Sequence, residues 1–303
     1  MTRSDDLGDG PGFFFDPQVD TSTLASLFAQ DEVTLRPDRL VLIVGSKVER
    51  NSYTGVEWQP NVRTRFTPDA RQTIWGAVSR AVRMPTRFDT DLRLRHPITG
   101  QLFLTGDPEF RSENVTAYEA GYRVRPMSRL SLDLATFFND WSDVRSQELP
   151  SAPGSPIALG NGLNARASGI ELASTVMLTS KWQAHGSYSY LHHEFTRDLS
   201  SRDATGGASE ANDPSHLFSI RTSVDLPRRF ELDANLRYVS SLPAPAVKAY
   251  TELGARVGWR PSEHWDLELI GQNLLHDRHE EFASTTPREY FERSIALRTG
   301  WRF

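Results

Sequence analysis

Residues 230–238 read FELDANLRY, with apolar side chains at every second position. The positions between them hold Glu231, Asp233, Asn235 and Arg237. A period of two residues places the two sets on opposite faces of a β-strand. The stretch therefore predicts a strand with one apolar face and one polar face.

The same period recurs along most of the chain and predicts about thirteen strands. They are expected near residues 24–35, 39–50, 54–66, 71–83, 113–126, 128–144, 165–178, 181–194, 214–226, 229–241, 247–260, 263–274 and 291–303. Many of these runs reach about 12 to 14 residues, whereas strands of globular proteins have roughly five or six. Strands of this length can cross a bilayer when tilted.

Short and long connections alternate between the predicted strands. Tight turns containing Pro or small polar residues are expected at residues 36–38, 67–70, 126–127, 179–180, 227–228 and 261–262. Longer links are expected at residues 50–54, 84–112, 145–164, 195–213, 241–246 and 275–290. Short periplasmic turns and long extracellular loops are typical of bacterial outer-membrane barrels. The sequence thus predicts an all-β fold, an antiparallel transmembrane β-barrel of the bacterial outer membrane.

The strand parity also predicts which side chains meet the bilayer, because charges on the lipid face are costly. The residues expected to face lipid are Leu232, Leu236, Val257, Trp259, Leu297 and Trp301. Those expected to face the lumen are Asp233, Arg237, Glu252, Arg256 and Arg298.

Composition excludes several other classes of protein. The longest apolar run, residues 40–44, is far shorter than the roughly 20 residues of a spanning helix. Charges of both signs are dispersed around a net charge of -5, which argues against nucleic-acid binding. The absence of cysteine excludes disulfides, thiolate metal sites and cysteine nucleophiles.

The strand count bears on domain organisation. If the last strand ends in the periplasm, an odd count places the start of the first strand outside the cell, so the barrel is expected to be incomplete. Residues 24–303 are interpreted as the C-terminal part of a barrel and residues 1–23 as an extracellular loop or disordered tail. Residues 1–20 lack a basic segment followed by an apolar one, so no export signal is predicted there.

The predicted last strand ends in an aromatic residue. Ile295, Leu297, Trp301 and Phe303 share one parity. Bacterial outer-membrane proteins commonly end in such a strand, which the barrel assembly machinery recognises by strand pairing. We therefore expect the Phe303 end to bind that machinery; the alternative is the final amphipathic strand of a soluble β-protein.

Several stretches resemble one family. Residues 75–85 read WGAVSRAVRMP, residues 106–113 read GDPEFRSE, and residues 118–123 read YEAGYR. Together they resemble the paired boxes of TonB-dependent receptors, in which an Arg-x-Pro segment ends one strand and a Gly-Asn-Pro-like segment precedes the next. Asp107 stands where the family more often has Asn. Further stretches that fit are SGIEL at 168–172, GSYSYL at 186–191 and GQNLL at 271–275.

The resemblance implies a function. Receptors of this family import scarce nutrients through a barrel that an N-terminal plug closes, with energy from the TonB-ExbB-ExbD system. The plug is expected upstream, since nothing in this sequence matches it. A ferric siderophore is the expected small-molecule ligand; cobalamin, haem and oligosaccharides are competitors. The alternatives are a passive porin or channel, and a soluble secreted β-protein that binds carbohydrate.

Candidate ligand-binding residues lie in the long loops, where sequence is least constrained. Arg87, Arg93 and Arg95 could bind an anionic ferric chelate. The resemblance adds His96, because haem receptors of the family place a His between the two boxes; a solvated loop His is the alternative.

The other candidates are His276 and His279. They lie in an acidic segment and could contact a cationic or metal-bearing ligand, or be hydrated loop residues. Enzyme motifs are absent, so we predict no catalytic residues, no cofactor and no metal site.

Overall fold

The computed structural model describes residues 2–5, 12–208, 210–244, 246–282 and 289–303. Thirteen long strands in these ranges form an antiparallel sheet in which each strand pairs with its neighbours in the chain. In chain order they are β1 (Leu24–Arg36), β2 (Leu40–Asn51), β3 (Gly55–Phe66), β4 (Gln72–Arg83), β5 (Glu113–Met127), β6 (Leu130–Glu148), β7 (Ile157–Thr179), β8 (Trp182–Arg197), β9 (His216–Leu226), β10 (Phe230–Val239), β11 (Tyr250–Trp259), β12 (Trp265–Gln272) and β13 (Ser294–Trp301). All thirteen predicted strands are confirmed, and the largest difference is the start of β7, which begins eight residues before position 165.

Shorter elements lie before β1 and in the connections between the long strands. Helix α1 spans Arg87–Thr90 and a 3-10 turn spans Pro227–Arg229. The short strands are Thr2–Asp5, Phe13–Phe15, Val19–Ser22, Leu92–Arg95, Leu102–Thr105, Leu242–Pro243, Ala246–Val247, Arg278–His279 and Phe291–Glu292. None of the helices in the described ranges is long and apolar enough to cross a membrane.

The sheet exposes large apolar side chains on one face. Val257, Leu297 and Trp301 are 40, 73 and 50% exposed, although buried positions are the usual place for such residues. A strand of 12 residues such as β2 is about 40 Å long, enough to cross the roughly 30 Å hydrocarbon core at a tilt. A bilayer would cover this face.

The opposite face carries a network of ion pairs. The Arg256 guanidinium donates to Asp233 and Glu268, both at 2.6 Å. Arg237, on the same face, binds Glu281 from the connection that follows β12. Because a loop residue reaches this face, it is the lumen side of the sheet. The side chains are divided between the two faces as predicted.

The turns and loops lie at opposite ends of the strands, as predicted, but two links are shorter than expected. The link expected at residues 145–164 spans only 149–156, because β6 and β7 both extend into it. Residues 50–54 were expected to form a longer link, but β2 and β3 are joined by the three residues 52–54. The Asn51 side-chain oxygen accepts hydrogen bonds from the backbone N–H groups of Tyr53 and Thr54, each at 2.8 Å. Gly55 then adopts φ +81, which favours glycine. This Asx-type turn explains the short link.

Strands β1 and β13 are the two edges of the sheet, and within the described residues they do not pair with each other. Thirteen is an odd number, so both strands run from the loop end to the turn end. Antiparallel pairing between them is therefore impossible. The structure is an open arc of a barrel wall, in agreement with the predicted incomplete barrel.

Candidate functional site

Residues 84–112, here called the hairpin domain, fold at the loop end of the barrel. Their two short strands pair with each other, and Phe13–Phe15 adds a third strand beside Leu92–Arg95. Leu92, Phe110 and Leu159 form a buried core. Since Leu159 belongs to β7, this core attaches the hairpin domain to the barrel wall.

Asp89, in α1, is the polar centre of the hairpin domain and is fully buried. Its carboxylate accepts hydrogen bonds from Arg83 Nη1 and from the Thr86 backbone N–H and hydroxyl, all at 2.9 Å. Arg145 Nη1 lies 3.6 Å away. Burial alone would raise the pKa of Asp89, but the hydrogen bonds from Arg83 and Thr86 outweigh burial and lower it. The ionised carboxylate thus binds α1 to β4 and β6.

Gly106 shows why the sequence needs a glycine beside this centre. A Cβ atom added there would lie 2.6 Å from the Thr90 carbonyl carbon and 2.8 Å from the Asp89 carbonyl oxygen. These are backbone atoms of α1, which cannot move aside as a flexible side chain would. The glycine of the GDPEFRSE stretch therefore permits close packing against the helix.

Residues 198–215, here called the 198–215 loop, are anchored by a second buried carboxylate. Asp203 accepts hydrogen bonds from the backbone N–H groups of Gln147 and Gly206, both at 2.6 Å, and of Thr205 at 2.8 Å. Burial opposes ionisation of Asp203, but these hydrogen bonds outweigh it and lower its pKa. The loop is therefore bound to the end of β6.

Acidification is expected to release the 198–215 loop. The folded-state pKa of Asp203 lies below its unfolded value of about 3.9, so its hydrogen bonds stabilise the loop above about pH 4. This stabilisation is lost as the pH falls through the lower, folded-state pKa. Pepsin cleavage within the loop, normalised to a peptide substrate, should accelerate between about pH 4 and pH 2. Asp203→Asn should remove this acceleration; an equal acceleration in the variant would contradict the assignment.

A cavity of about 410 Å³ lies between the 198–215 loop and the lumen face of β6, β7 and β8. The residues that line it include Glu113, Phe137, Asn139, Trp141, His193, Phe195, Glu210 and Asp213. Trp141 and Phe195 pack on the buried cluster of Val144, Leu163 and Ala165. The cavity therefore combines aromatic walls with carboxylates.

Sequence reasoning missed this cavity. Phe137 and Trp141 share their parity on β6 with Asp133, which faces the lumen. The available signal was the presence of aromatic residues at lumen-facing positions, where polar residues were expected. The short, local strand pattern gave no indication that the 198–215 loop would cover them.

The three predicted arginines lie in the hairpin domain, and each guanidinium already has partners. Arg87 binds Asp91 at 3.2 Å and lies over the ring of Phe15, 4.6 Å from its centroid. Arg93 donates to the carbonyl oxygens of Leu92 at 2.9 Å and Gly106 at 3.3 Å.

Arg95 differs from the other two because its side chain is exposed. It donates to the Gly100 carbonyl oxygen at 3.1 Å and lies over the ring of Phe14. His96 closes the tip of the same hairpin, since its Nδ1 accepts from the backbone N–H groups of Ile98 and Thr99 at 3.3 and 3.4 Å. Arg95 and His96 thus lie together at the tip.

The two remaining histidines have different environments. His276 is exposed. The side chain of His279 is only 7% exposed; it stacks on Tyr250 with ring centroids 4.3 Å apart, and its Nε2 lies 3.1 Å from Glu281 Oε1. Burial would raise the pKa of Glu281, but the His279 hydrogen bond and the Arg237 charge outweigh it and lower the pKa.

Glu252, His279 and Glu281 place their ligand atoms within 4.8 Å of one another, a spacing that a metal ion could bridge. Arg237, however, donates to both carboxylates, at 2.7 Å to Glu252. The guanidinium therefore already occupies both carboxylates and offsets one of their two negative charges. The cluster serves as an ion-pair link between the β12–β13 connection and the lumen face. The part of that connection at residues 283–288 falls outside the described residues.

Comparisons with known proteins place this fold. The family model described as "TonB dependent receptor-like, beta-barrel" matches residues 2–274. The structure is similar to a mutant of the ferric enterobactin receptor PfeA from Pseudomonas aeruginosa, with a TM-score of 0.75 and 16% identity over 94% of this chain and 46% of that one.

Two further structures are similar. The siderophore receptor PirA from Acinetobacter baumannii has a TM-score of 0.72 and 15% identity over 93% of this chain and 46% of that one. The ferric-catecholate import receptor Fiu from E. coli K12 has a TM-score of 0.69 and 14% identity over 93% and 45%. The chain thus spans about half the length of the solved structures it matches.

Proposed function

This chain belongs to the TonB-dependent receptor-like β-barrel family, and we propose that it is the C-terminal part of a barrel that imports a ferric siderophore. Family membership makes it an integral β-barrel protein of the bacterial outer membrane and a receptor, not an enzyme. Within this proposal, residues 24–303 are barrel wall and residues 1–23 belong to the extracellular side.

The match of the family model to residues 2–274 carries the proposal. Solved structures with the same fold are named as receptors for ferric enterobactin, siderophores and ferric catecholates. The loop end also has the form of a binding surface, because the hairpin domain and the 198–215 loop are both folded against the barrel wall.

The proposal includes three partners. Energy would come from the TonB-ExbB-ExbD system, acting through a plug. The barrel assembly machinery would bind the exposed Phe303 end by strand pairing. The ligand would be an anionic ferric chelate that meets the arginines of the hairpin domain, of which Arg95 is the most exposed and has His96 beside it.

Binding of a panel of radiolabelled ferric siderophores to outer membranes that contain the protein tests the proposal. We expect at least one to bind, and expect its uptake by cells to require TonB. Replacing Arg87, Arg93 and Arg95 with Gln should weaken binding about tenfold or more, because charge-assisted hydrogen bonds are lost.

Replacing Arg129, Arg228 and Arg229 with Gln is the matched control, since it removes the same charge at the turn end. Because Arg87 and Arg93 also pack the hairpin domain, the single variant Arg95→Gln separates binding from folding. Unchanged affinity in both arginine variants would reject their role. Failure of every ferric siderophore to bind would reject the substrate class.

A further inference from the structure

We propose that the cavity beneath the 198–215 loop binds an organic cation, a substituted ammonium group carried on an apolar body. This inference goes beyond the proposed import function and does not depend on it. It rests on three features of the cavity, which are its aromatic walls, its charge and its size.

The aromatic walls come from the barrel and not from mobile surface residues. Phe137 and Trp141 project from β6, and Phe195 projects from β8. Val144 and Ala165 also line the cavity and belong to one buried cluster with Leu163, so one side of the cavity is apolar. The faces of such rings attract cations, most strongly for Trp, and substituted ammonium groups are the ligands that aromatic cages recognise.

The charge of the cavity favours the same ligand. Its carboxylates are Glu113, Glu210 and Asp213. Arg83 binds Glu113 at 2.6 Å, and Arg145 binds Glu210 at 2.9 Å. Both guanidinium groups are therefore held by protein carboxylates and are not available to an anionic ligand.

Asp213 remains at the mouth of the cavity. Its side chain is exposed, and in the part of the chain that the structure describes it forms no ion pair or hydrogen bond. The guanidinium groups of Arg83 and Arg145 pair with Asp89, Glu113 and Glu210, so these three carboxylates already outnumber the two cations, and Asp213 adds a further negative charge. An anion would be repelled, whereas a cation would gain both the carboxylate and the rings.

The size of the cavity is that of a small-molecule site. Its volume of about 410 Å³ falls within the range of roughly 300 to 1,000 Å³ that ligand pockets occupy. An exposed carboxylate at the mouth and aromatic rings in the walls suit a ligand whose charged head lies near its apolar body.

Choline and its uncharged isostere 3,3-dimethylbutanol provide the test, using isothermal titration calorimetry on the full chain in detergent. We expect choline to bind and the isostere to bind about fivefold more weakly or worse, because only the charge differs. Asp213→Asn and Trp141→Leu should each lower choline affinity about fivefold. Glu109→Gln, which removes an exposed carboxylate of the same end outside the cavity, should leave affinity unchanged.

Each outcome decides the proposal. No choline binding at any concentration up to about 50 mM, or equal binding of the two isosteres, would overturn it, since cation–π recognition requires the charge. Unchanged affinity in Asp213→Asn would do the same, and this variant is exposed and therefore remains informative if Trp141→Leu fails to fold. Because neither iron nor siderophore is present, the result is independent of the test of the import function.

Discussion

Replacing Asp89 with Ala is expected to destabilise the hairpin domain by about 3 to 5 kcal/mol, the cost of removing one member of a buried ion pair. Asp89 is fully buried, and the substitution would leave Arg83 Nη1 and the Thr86 N–H without their acceptor, while Arg83 Nη2 would keep only its hydrogen bond to Glu113. It would also remove the charge that Arg145 faces at 3.6 Å. The loss is large because water cannot replace these hydrogen bonds without opening the domain.

The rate of trypsin cleavage provides the measurement, since Arg93 and Arg95 lie in the strand Leu92–Arg95, which must open before it can be cleaved. If opening is fast relative to cleavage, the cleavage rate follows the population of the open state. A loss of 3 to 5 kcal/mol then corresponds to at least about a hundredfold acceleration.

The control is Asp277→Ala, which removes an ion pair with Arg293 of similar length, 3.0 Å, but with the Asp277 side chain 92% exposed. Exposed pairs of this kind contribute little, so trypsin cleavage of the hairpin domain should not change. Similar cleavage rates for Asp89→Ala and the unsubstituted protein would show that α1 is held by its apolar core alone.

The barrel wall could be predicted from the sequence because its pattern is local. Within about ten residues, each strand shows which side chains form its apolar face and which form its polar face. This assignment requires no knowledge of the partner strands. Residues 230–238 predict the orientation of Asp233 and Arg237 before their partners Arg256 and Glu252 are known. Two links were predicted too long: residues 50–54, although Asn51 and Gly55 are both turn-forming residues, and residues 145–164, of which only 149–156 lie outside the strands.

The loop end could not be predicted in the same way, because its contacts join distant segments. Leu92–Arg95 is only four residues long, and one of its partners, Phe13–Phe15, lies nearly 80 positions earlier. Asp89 and Asp91 look equivalent in sequence, yet only Asp89 is fully buried and receives the hydrogen bonds of Arg83. Tertiary contacts, which no periodicity records, select the important carboxylate.

The predicted arginines illustrate the same limit. Residue type and loop position led to the prediction that these arginines bind ligand, but the sequence could not show that Arg87 and Arg93 bind groups within the hairpin domain. Their contribution to ligand binding remains a prediction. The aromatic cavity was missed for a different reason, since Phe137 and Trp141 lie on the lumen face of β6, where polar side chains are expected in a barrel.

The orientation of the wall in the bilayer leads to the second large effect, the substitution Ile170→Arg. Ile170 lies at the centre of residues 163–177 of β7, which pair with β8 in one continuous register. Its side chain is 47% exposed on the apolar face, where lipid would surround it. An arginine at the midplane of a barrel's lipid face costs about 2 to 4 kcal/mol. We expect a lower urea midpoint for the membrane-embedded protein and less protein assembled in the outer membrane.

The adjacent residue supplies a control with the same new side chain at the same depth. Glu171 points to the lumen, and its register partners Ala135 and Ser189 are small and uncharged. Glu171→Arg should therefore shift stability by no more than about 0.5 kcal/mol, as for other solvated positions. The comparison depends only on which face each residue occupies, because sequence position, depth and the introduced group are matched. If Glu171→Arg lowers the urea midpoint as much as Ile170→Arg, or more, the assignment of the apolar face to lipid is wrong.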